Sequence, residues 1–206
     1  MSAPTERVVL ALGSNLGDRA GTLADAVRDL AELPGAVLVA VSPSYESAAV
    51  KLDGVDENAP RYLNAVLTID YTGGAHELLN AVNAIEAQHG RVRAERWGDR
   101  TLDIDIIVFG TLELEDARLT VPHPRAAERD FVLAPWLDVD ADAAIPGRGR
   151  VRELLAATQR SAYPCADAAR RDESSPEAEA EAEAEAEAEA EAGSGARAEA
   201  EAGARR

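Results

Sequence analysis

The chain has 206 residues, 46% of them hydrophobic and 29% charged, which is ordinary for a soluble protein and long enough for one domain with a substantial core. Its formal charge of −17 argues against general nucleic-acid binding, although a local basic cluster can override the balance. A single cysteine, Cys165, excludes a disulfide or a thiolate zinc site within one chain.

The opening MSAPTERVVLALG carries an acid and lacks the basic start and long apolar run of an export signal. No stretch approaches the roughly 18 apolar residues of a membrane span, so a cytoplasmic protein is expected. Val8 to Leu12 forms a short apolar run ending at Gly13. After GSNLGDR, the residues Leu23, Val27 and Leu30 recur at helical spacing up to Pro34-Gly35. The connection matches neither GxGxxG nor GxxxxGKS/T, and a tight turn with Ser14 or Asn15 near the helix cap is the better reading. Val37 to Tyr45 reads as a second strand. Lys51 to Pro60 reads as a loop without periodicity.

Arg61 to Tyr71 alternates as a third strand, with Tyr62 and Asn64 opposite Leu63, Ala65, Leu67 and Ile69. Taken alone, Tyr62 and Asn64 suggest a solvent-facing pair on an edge strand. A ring beside an amide can also stack on, and hydrogen-bond to, a flat heterocycle. Gly73-Gly74 then breaks the chain before a second helix with Leu78, Val82 and Ile85 on one stripe, ending at His89-Gly90.

The next loop, GRVRAERWGDR, holds Arg91, Arg93, Arg96 and Arg100 around Trp97. Guanidinium suits phosphate oxygens; the alternative is a solvated charge run in which Glu95 and Asp99 pair two of the arginines. The strand LDIDIIVF follows, and strict alternation puts Asp103, Asp105, Ile107 and Phe109 on one face. An isolated D-x-D is usually the wet side of a half-exposed strand. Here the same face turns apolar at Ile107, so the carboxylates sit at the rim of a covered surface, where an unpaired charge is costly. They require a cation. Residues two apart on a strand are roughly 6.5 Å apart, close enough to share two Mg²⁺ ions about 3.5–4 Å from each other, and oxygen-only ligands favour Mg²⁺ over zinc.

Leu119 to Ala157 reads as short helices and loops closing over the second face of a sheet, with RVRELLAA as the last helix. LTVPHPRAAERDF supplies His123, Arg129 and Phe131. A lone histidine is usually structural; beside a phosphate site it can donate to an oxygen. Residues 172–206 hold 12 acids and 3 arginines, so they carry −9 of the net charge and residues 1–171 carry −8. The Glu-Ala repeat from Glu177 to Ala192 has no core-forming residues, and each glutamate meets another at i+4. A mostly disordered acidic appendage is expected there, with residues 1–171 as the one folded domain. The order βαββαβ predicts an α+β, ferredoxin-like antiparallel sheet with two helices on one face and additional C-terminal helices.

LALGSNLGDR, YLNAV, RWGDRTLDIDII and LTVPHPR, in this order, resemble the 6-hydroxymethyl-7,8-dihydropterin pyrophosphokinase family over roughly residues 7–155. The resemblance implies transfer of the β,γ-pyrophosphoryl group of ATP to the hydroxymethyl group of the pterin, releasing AMP. By that similarity Asp103 and Asp105 bind two Mg²⁺ ions, and Arg91 and Arg100 act on the transferring phosphates. Ser47, Tyr62, Asn64, Trp97 and Phe131 enclose the pterin, while Glu86, Arg93, Ile106, Arg118, Thr120, His123 and Arg129 hold ATP. Ser47-Ala48, Asp99 and Pro124 depart from the common family pattern. A monomer acting on small molecules is implied, with no nucleic-acid or membrane partner. The competing readings are a non-catalytic RNA-binding module, whose RNP pattern is missing and whose phosphate backbone the paired aspartates would repel unless metal intervened, and a small-molecule-sensing domain, which leaves D-x-D and the arginines idle.

Overall fold

The computed structural model describes residues 4–51, 54–56, 60–90 and 101–165, all within Met1–Cys165, the first of two units into which the chain divides, the second being Ala166–Arg206. The expectations for Arg91, Arg93, Arg96, Trp97, Arg100 and the Glu-Ala tail fall outside these residues. In chain order the elements are β1 (Glu6–Ser14), α1 (Arg19–Ala31), β2 (Ala36–Val41), β3 (Tyr45–Ser47), β4 (Ala49–Lys51), β5 (Gly54–Asp56), β6 (Tyr62–Tyr71), α2 (Ala75–Gln88) and β7 (Asp103–Phe109). They continue as β8 (Leu114–Glu115), β9 (Thr120–Val121), a 3₁₀ turn (Ala126–Glu128), α3 (Asp130–Val139), β10 (Ala144–Ile145), β11 (Gly149–Arg150), α4 (Val151–Ala157) and β12 (Ala162–Pro164).

The main sheet is antiparallel and runs β12-β3-β6-β1-β7, with β2 also paired to β6. Strand β1 lies between β6 and β7, and β6 between β1 and the β2–β3 pair, so the middle of the sheet is built from the two longest alternating segments. One face, carrying Val8, Leu10, Leu12, Leu63, Leu67, Ile69, Ile104 and Ile106, packs on Leu23, Ala26 and Leu30 of α1 and on Leu78, Val82 and Ile85 of α2. The other, with Val9, Val66, Ile107 and Val108, is covered by Val132, Leu133 and Trp136 of α3 and by Val151 and Leu155 of α4. Period-two alternation in the strands and the helical stripes in α1 and α2 account for this two-sided core. Among the described residues, no helix is long and apolar enough to cross a membrane.

Several expectations are corrected. Phe109 does not share the aspartate face. The pairing with β1 shifts between Val9 and Leu10, because Ile107 is an extra residue in β7: Leu10 faces Ile106 while Val9 faces Val108. This bulge exchanges the faces beyond it. Val108 joins the α3 side, and Phe109 turns to the α1–α2 side, edge-on to Tyr71 at 6.3 Å between ring centroids. The cap of α1 is neither Ser14 nor Asn15, because β1 runs on through Ser14; Asp18 takes that role, accepting from the Gly21 N–H at 2.9 Å.

The second strand ends at Val41. Proline at 43 has no N–H to offer a ladder, and Ser42 bridges the break, its N–H donating to the Val66 carbonyl and its Oγ accepting from the Val66 N–H. Within the expected Lys51–Pro60 loop, Gly54–Asp56 pairs back on Ala49–Lys51 as a hairpin. Strand β12, unsuspected from its Ala-Tyr-Pro composition, adds to β3. The second helix and its end agree with expectation: Gly90 follows the cap at φ +77°, the left-handed turn glycine allows.

Candidate active site

Where β1, β6 and β7 end together, residues opposite one another form a row across the sheet: Asn64 on β6, Gly13 on β1 and Asp103 on β7. One row inward lie Val66, Ala11 and Asp105. The central strand contributes only a hydrogen and a methyl, so polar side chains on its neighbours stand around a depression. A Cβ at Gly13 would lie 3.4 Å from Asn64 Oδ1 and 3.7 Å from the Tyr62 ring. The resulting cavity, about 380 Å³, is lined by Ala11, Gly13, Ser47, Tyr62, Asn64, Asp103, Asp105, His123, Arg129 and Phe131 among others, a size suited to a small heterocycle.

Tyr62 and Asn64 are therefore not a solvent-facing pair on an edge strand. β6 is an interior strand, and Asn64 is buried. Its Nδ2 donates to Ser47 Oγ at 2.9 Å and to the Tyr45 carbonyl at 3.3 Å. With the amide hydrogens so occupied, Oδ1 faces the cavity beside Gly13 as an acceptor.

Across the cavity, Arg129 Nη1 donates to Asp105 Oδ2 at 2.9 Å, and His123 Nε2 lies 3.7 Å from the same oxygen. The bulge in β7 helps to seat His123, whose N–H donates to the Ile107 carbonyl at 2.8 Å. His123 Nδ1 accepts from the Arg125 N–H at 3.2 Å, which assigns the ring proton to Nε2. Burial pushes the imidazole below its ordinary value; Asp105 opposes this and Arg129 adds to it.

Among the described residues, the remaining nucleotide candidates do not line this cavity. Glu86, fully buried on α2, accepts from the Ile104 N–H at 2.8 Å, and Ile106 belongs to the helix-side core. Arg118 donates to Asn80 on α2 at 2.6 Å, and Thr120 pairs with Glu115. Asp116 orders that turn by accepting from the Arg118 and Leu119 N–H groups, which, with His76, hold its carboxyl below the usual range. His123 and Arg129 thus gather at Asp105, whereas Arg118 lies against α2.

Sequence reasoning missed Asp130 and the floor residues Ala11 and Gly13. Buried Asp130 opens α3, accepts from Ser161 Oγ at 2.8 Å and the Ala162 N–H at 2.7 Å, and is also bonded to the Ser161 N–H. It clamps the chain between Arg129 and Phe131. Alternation in VVLALG, with small residues opposite leucines, was the available signal for the floor; none pointed to Asp130, whose partners are some thirty residues away.

A family model described as 7,8-dihydro-6-hydroxymethylpterin-pyrophosphokinase (HPPK) matches residues 9–141. The chain is 43% identical to the 2-amino-4-hydroxy-6-hydroxymethyldihydropteridine pyrophosphokinase of Pseudomonas aeruginosa over 74% of its length and 91% of that protein. It is 42% identical to the protein of the same name from Methylorubrum extorquens, over 73% and 92%. Among solved structures, wild-type Plasmodium falciparum HPPK-DHPS with pteroate superposes with a TM-score of 0.58 over 76% of this chain, at 14% identity. The same protein with pterin and p-hydroxybenzoate gives 0.57 over 75%, at 15% identity. This chain spans 43% of each of those longer chains, and at such identity the likeness concerns the fold. The matched span and the identity to whole-length relatives establish that this chain belongs to the HPPK family.

Proposed function

We propose that the cavity at the ends of β1, β6 and β7 binds 6-hydroxymethyl-7,8-dihydropterin and transfers to it the pyrophosphoryl group of ATP, giving the pterin diphosphate and AMP in folate biosynthesis. The observation that carries this is the row Asn64–Gly13–Asp103, which joins a heterocycle slot to a carboxylate pair in one cavity. Asn64 Oδ1 accepts a hydrogen from the ring edge, Ser47 orients the amide, and Tyr62 and Phe131 flank the ring. His123 and Arg129 hold phosphate oxygens, and Glu86, Ile106, Arg118 and Thr120 form the nucleotide's other contacts across β7. Arg91, Arg93, Arg100 and Trp97 complete the two sites, on the strength of the sequence resemblance.

Asp103 and Asp105 fit Mg²⁺: they are hard oxygen donors on one strand face, and the partly buried Asp105 carboxylate already draws a cation to itself. Among the described residues no group of three or more acidic, histidine or cysteine side chains is placed to hold a metal ion; an ion held by the two carboxylates would take waters and phosphate oxygens as its other ligands. Two bound ions would neutralise charge developing on the phosphates. Attack by a primary alcohol on phosphorus depends mainly on positioning and charge neutralisation. Asn64 and the rings aim the hydroxymethyl group, the arginines hold the phosphates in line, and enclosure excludes water.

The strand order β7-β1-β6-β2, with α1 and α2 on one face, supports the ferredoxin-like reading of the core. We assign the activity to residues 1–171, acting as a cytoplasmic monomer without nucleic-acid or membrane partners, and none of it to residues 172–206. Chromatography of nucleotides after mixing the protein with Mg²⁺, ATP and the hydroxymethyl dihydropterin tests the reaction. AMP should accumulate in step with the pterin; ADP as the main product would replace this reading with ordinary phosphoryl transfer. A chain ending at residue 171 should retain the rate, and loss of activity would give the tail a part.

A further inference from the structure

The cation that Asp105 requires is already present, and it belongs to the protein. Arg129 Nη1 sits 2.9 Å from Asp105 Oδ2, with the two side chains only 19% and 32% exposed. His123 Nε2 adds a weaker contact to the same oxygen at 3.7 Å. The guanidinium is braced by Phe131, whose ring centroid is 5.6 Å away. Between these two residues, Asp130 ties the start of α3 to Ser161 and Ala162. The arginine is therefore held at the carboxylate by its surroundings as well as by its charge.

A partly buried ion pair is costly to break unless each member finds another partner. A free divalent cation approaching Asp105 offers the carboxylate a new partner but leaves the guanidinium facing a second positive charge. A nucleotide changes the balance, because phosphate oxygens accept two parallel hydrogen bonds from a guanidinium. We infer that Arg129 is the resident counter-ion of Asp105, and that it couples divalent-cation binding to nucleotide binding. It occupies the carboxylate in the empty protein and moves to phosphate when a nucleotide arrives, freeing Oδ2. Metal and nucleotide then strengthen one another's binding by a common factor. This rests on the proposed role of Asp105 as a metal carboxylate.

The test is Mn²⁺ binding by the full-length protein, read from the electron paramagnetic resonance signal of the free ion, with and without a nonhydrolysable ATP analogue. Without nucleotide, Arg129→Met should bind Mn²⁺ about tenfold more tightly than the wild type, within the range usual for coupled sites. The tightening produced by the analogue should shrink by a similar factor. Arg129→Lys, which keeps a cation, should stay close to the wild type, a result that loss of packing alone would not produce. If Arg129→Met melts below the assay temperature, Arg129→Gln is read in the same way. Unchanged or weaker Mn²⁺ binding in the neutral variants, with Asp105→Asn abolishing it, would overturn the counter-ion role while leaving the metal assignment standing. Binding that survives Asp105→Asn undiminished would overturn the metal assignment, and this inference with it.

Discussion

The two faces of the central sheet are made from the same strands and do opposite things. On the α1–α2 face, β1 contributes Val8, Leu10 and Leu12, all sealed under helices. On the other, its alternate residues are Val9, Ala11 and Gly13, diminishing toward the strand end until the cover of α3 and α4 gives way to the cavity. One face maximises buried apolar area; the other gives up side-chain volume at the spot where Asn64, Asp103 and Asp105 converge. Along β1 the sealed side chains and the cavity floor are thus separated by the two-residue period of a strand, so substitutions one residue apart on β1 should have different consequences.

The largest effect is expected from the sealed face. Leu10→Ala, at a fully buried position, should lower the unfolding free energy by about 2–5 kcal/mol while sparing the Michaelis constants of the protein that remains folded. Denaturant titration with parallel kinetics measures both, and a change in pterin affinity would show that the faces are not independent. Next, Asp105→Asn should reduce AMP formation by about 100-fold or more, the scale of losing a group that organises charge in the transition state, and should also lower the melting temperature, because the partly buried Arg129 guanidinium loses its carboxylate partner. Normal turnover in that variant would return the D-x-D pair to a structural role.

Gly13→Val probes the floor directly. Its branched side chain would enter the space beside Asn64 Oδ1 and Tyr62, and overpacking of about 1–3 kcal/mol should appear mainly as a pterin Michaelis constant raised roughly tenfold. A larger effect on ATP than on pterin would relocate the heterocycle slot.

The smallest effect is pH-dependent. Burial holds the His123 imidazole below its ordinary value near 6.5, so as pH falls through that value the unfolded chain takes up a proton that the folded protein resists. The stability contribution is whole above about pH 6.5 and declines below it. His123→Asn should flatten the fall in melting temperature between about pH 7.5 and pH 5.5; an unaltered slope would assign the acid sensitivity to other groups.

Sequence alone determined what local periodicity and residue chemistry can carry. An apolar run marked β1, alternation along β6 and the first half of β7 assigned their two faces, helical spacing located α1 and α2, and the D-x-D pair was recognised as demanding a cation. Only the tertiary structure decided which groups answer one another. That β6 is an interior strand, and Asn64 consequently buried, follows from pairing with β1, β2 and β3, three separate stretches of chain. The bulge at Ile107 comes from the register against β1, and it turns Phe109 away from the aspartates. Asp130 finds its partners at Ser161 and Ala162, and Arg129 reaches Asp105 from another element 24 residues away. The physical reason is the same in each case: strand period and residue type are properties of neighbouring residues, whereas register, burial and the pairing of charges depend on segments that meet only when the chain has folded.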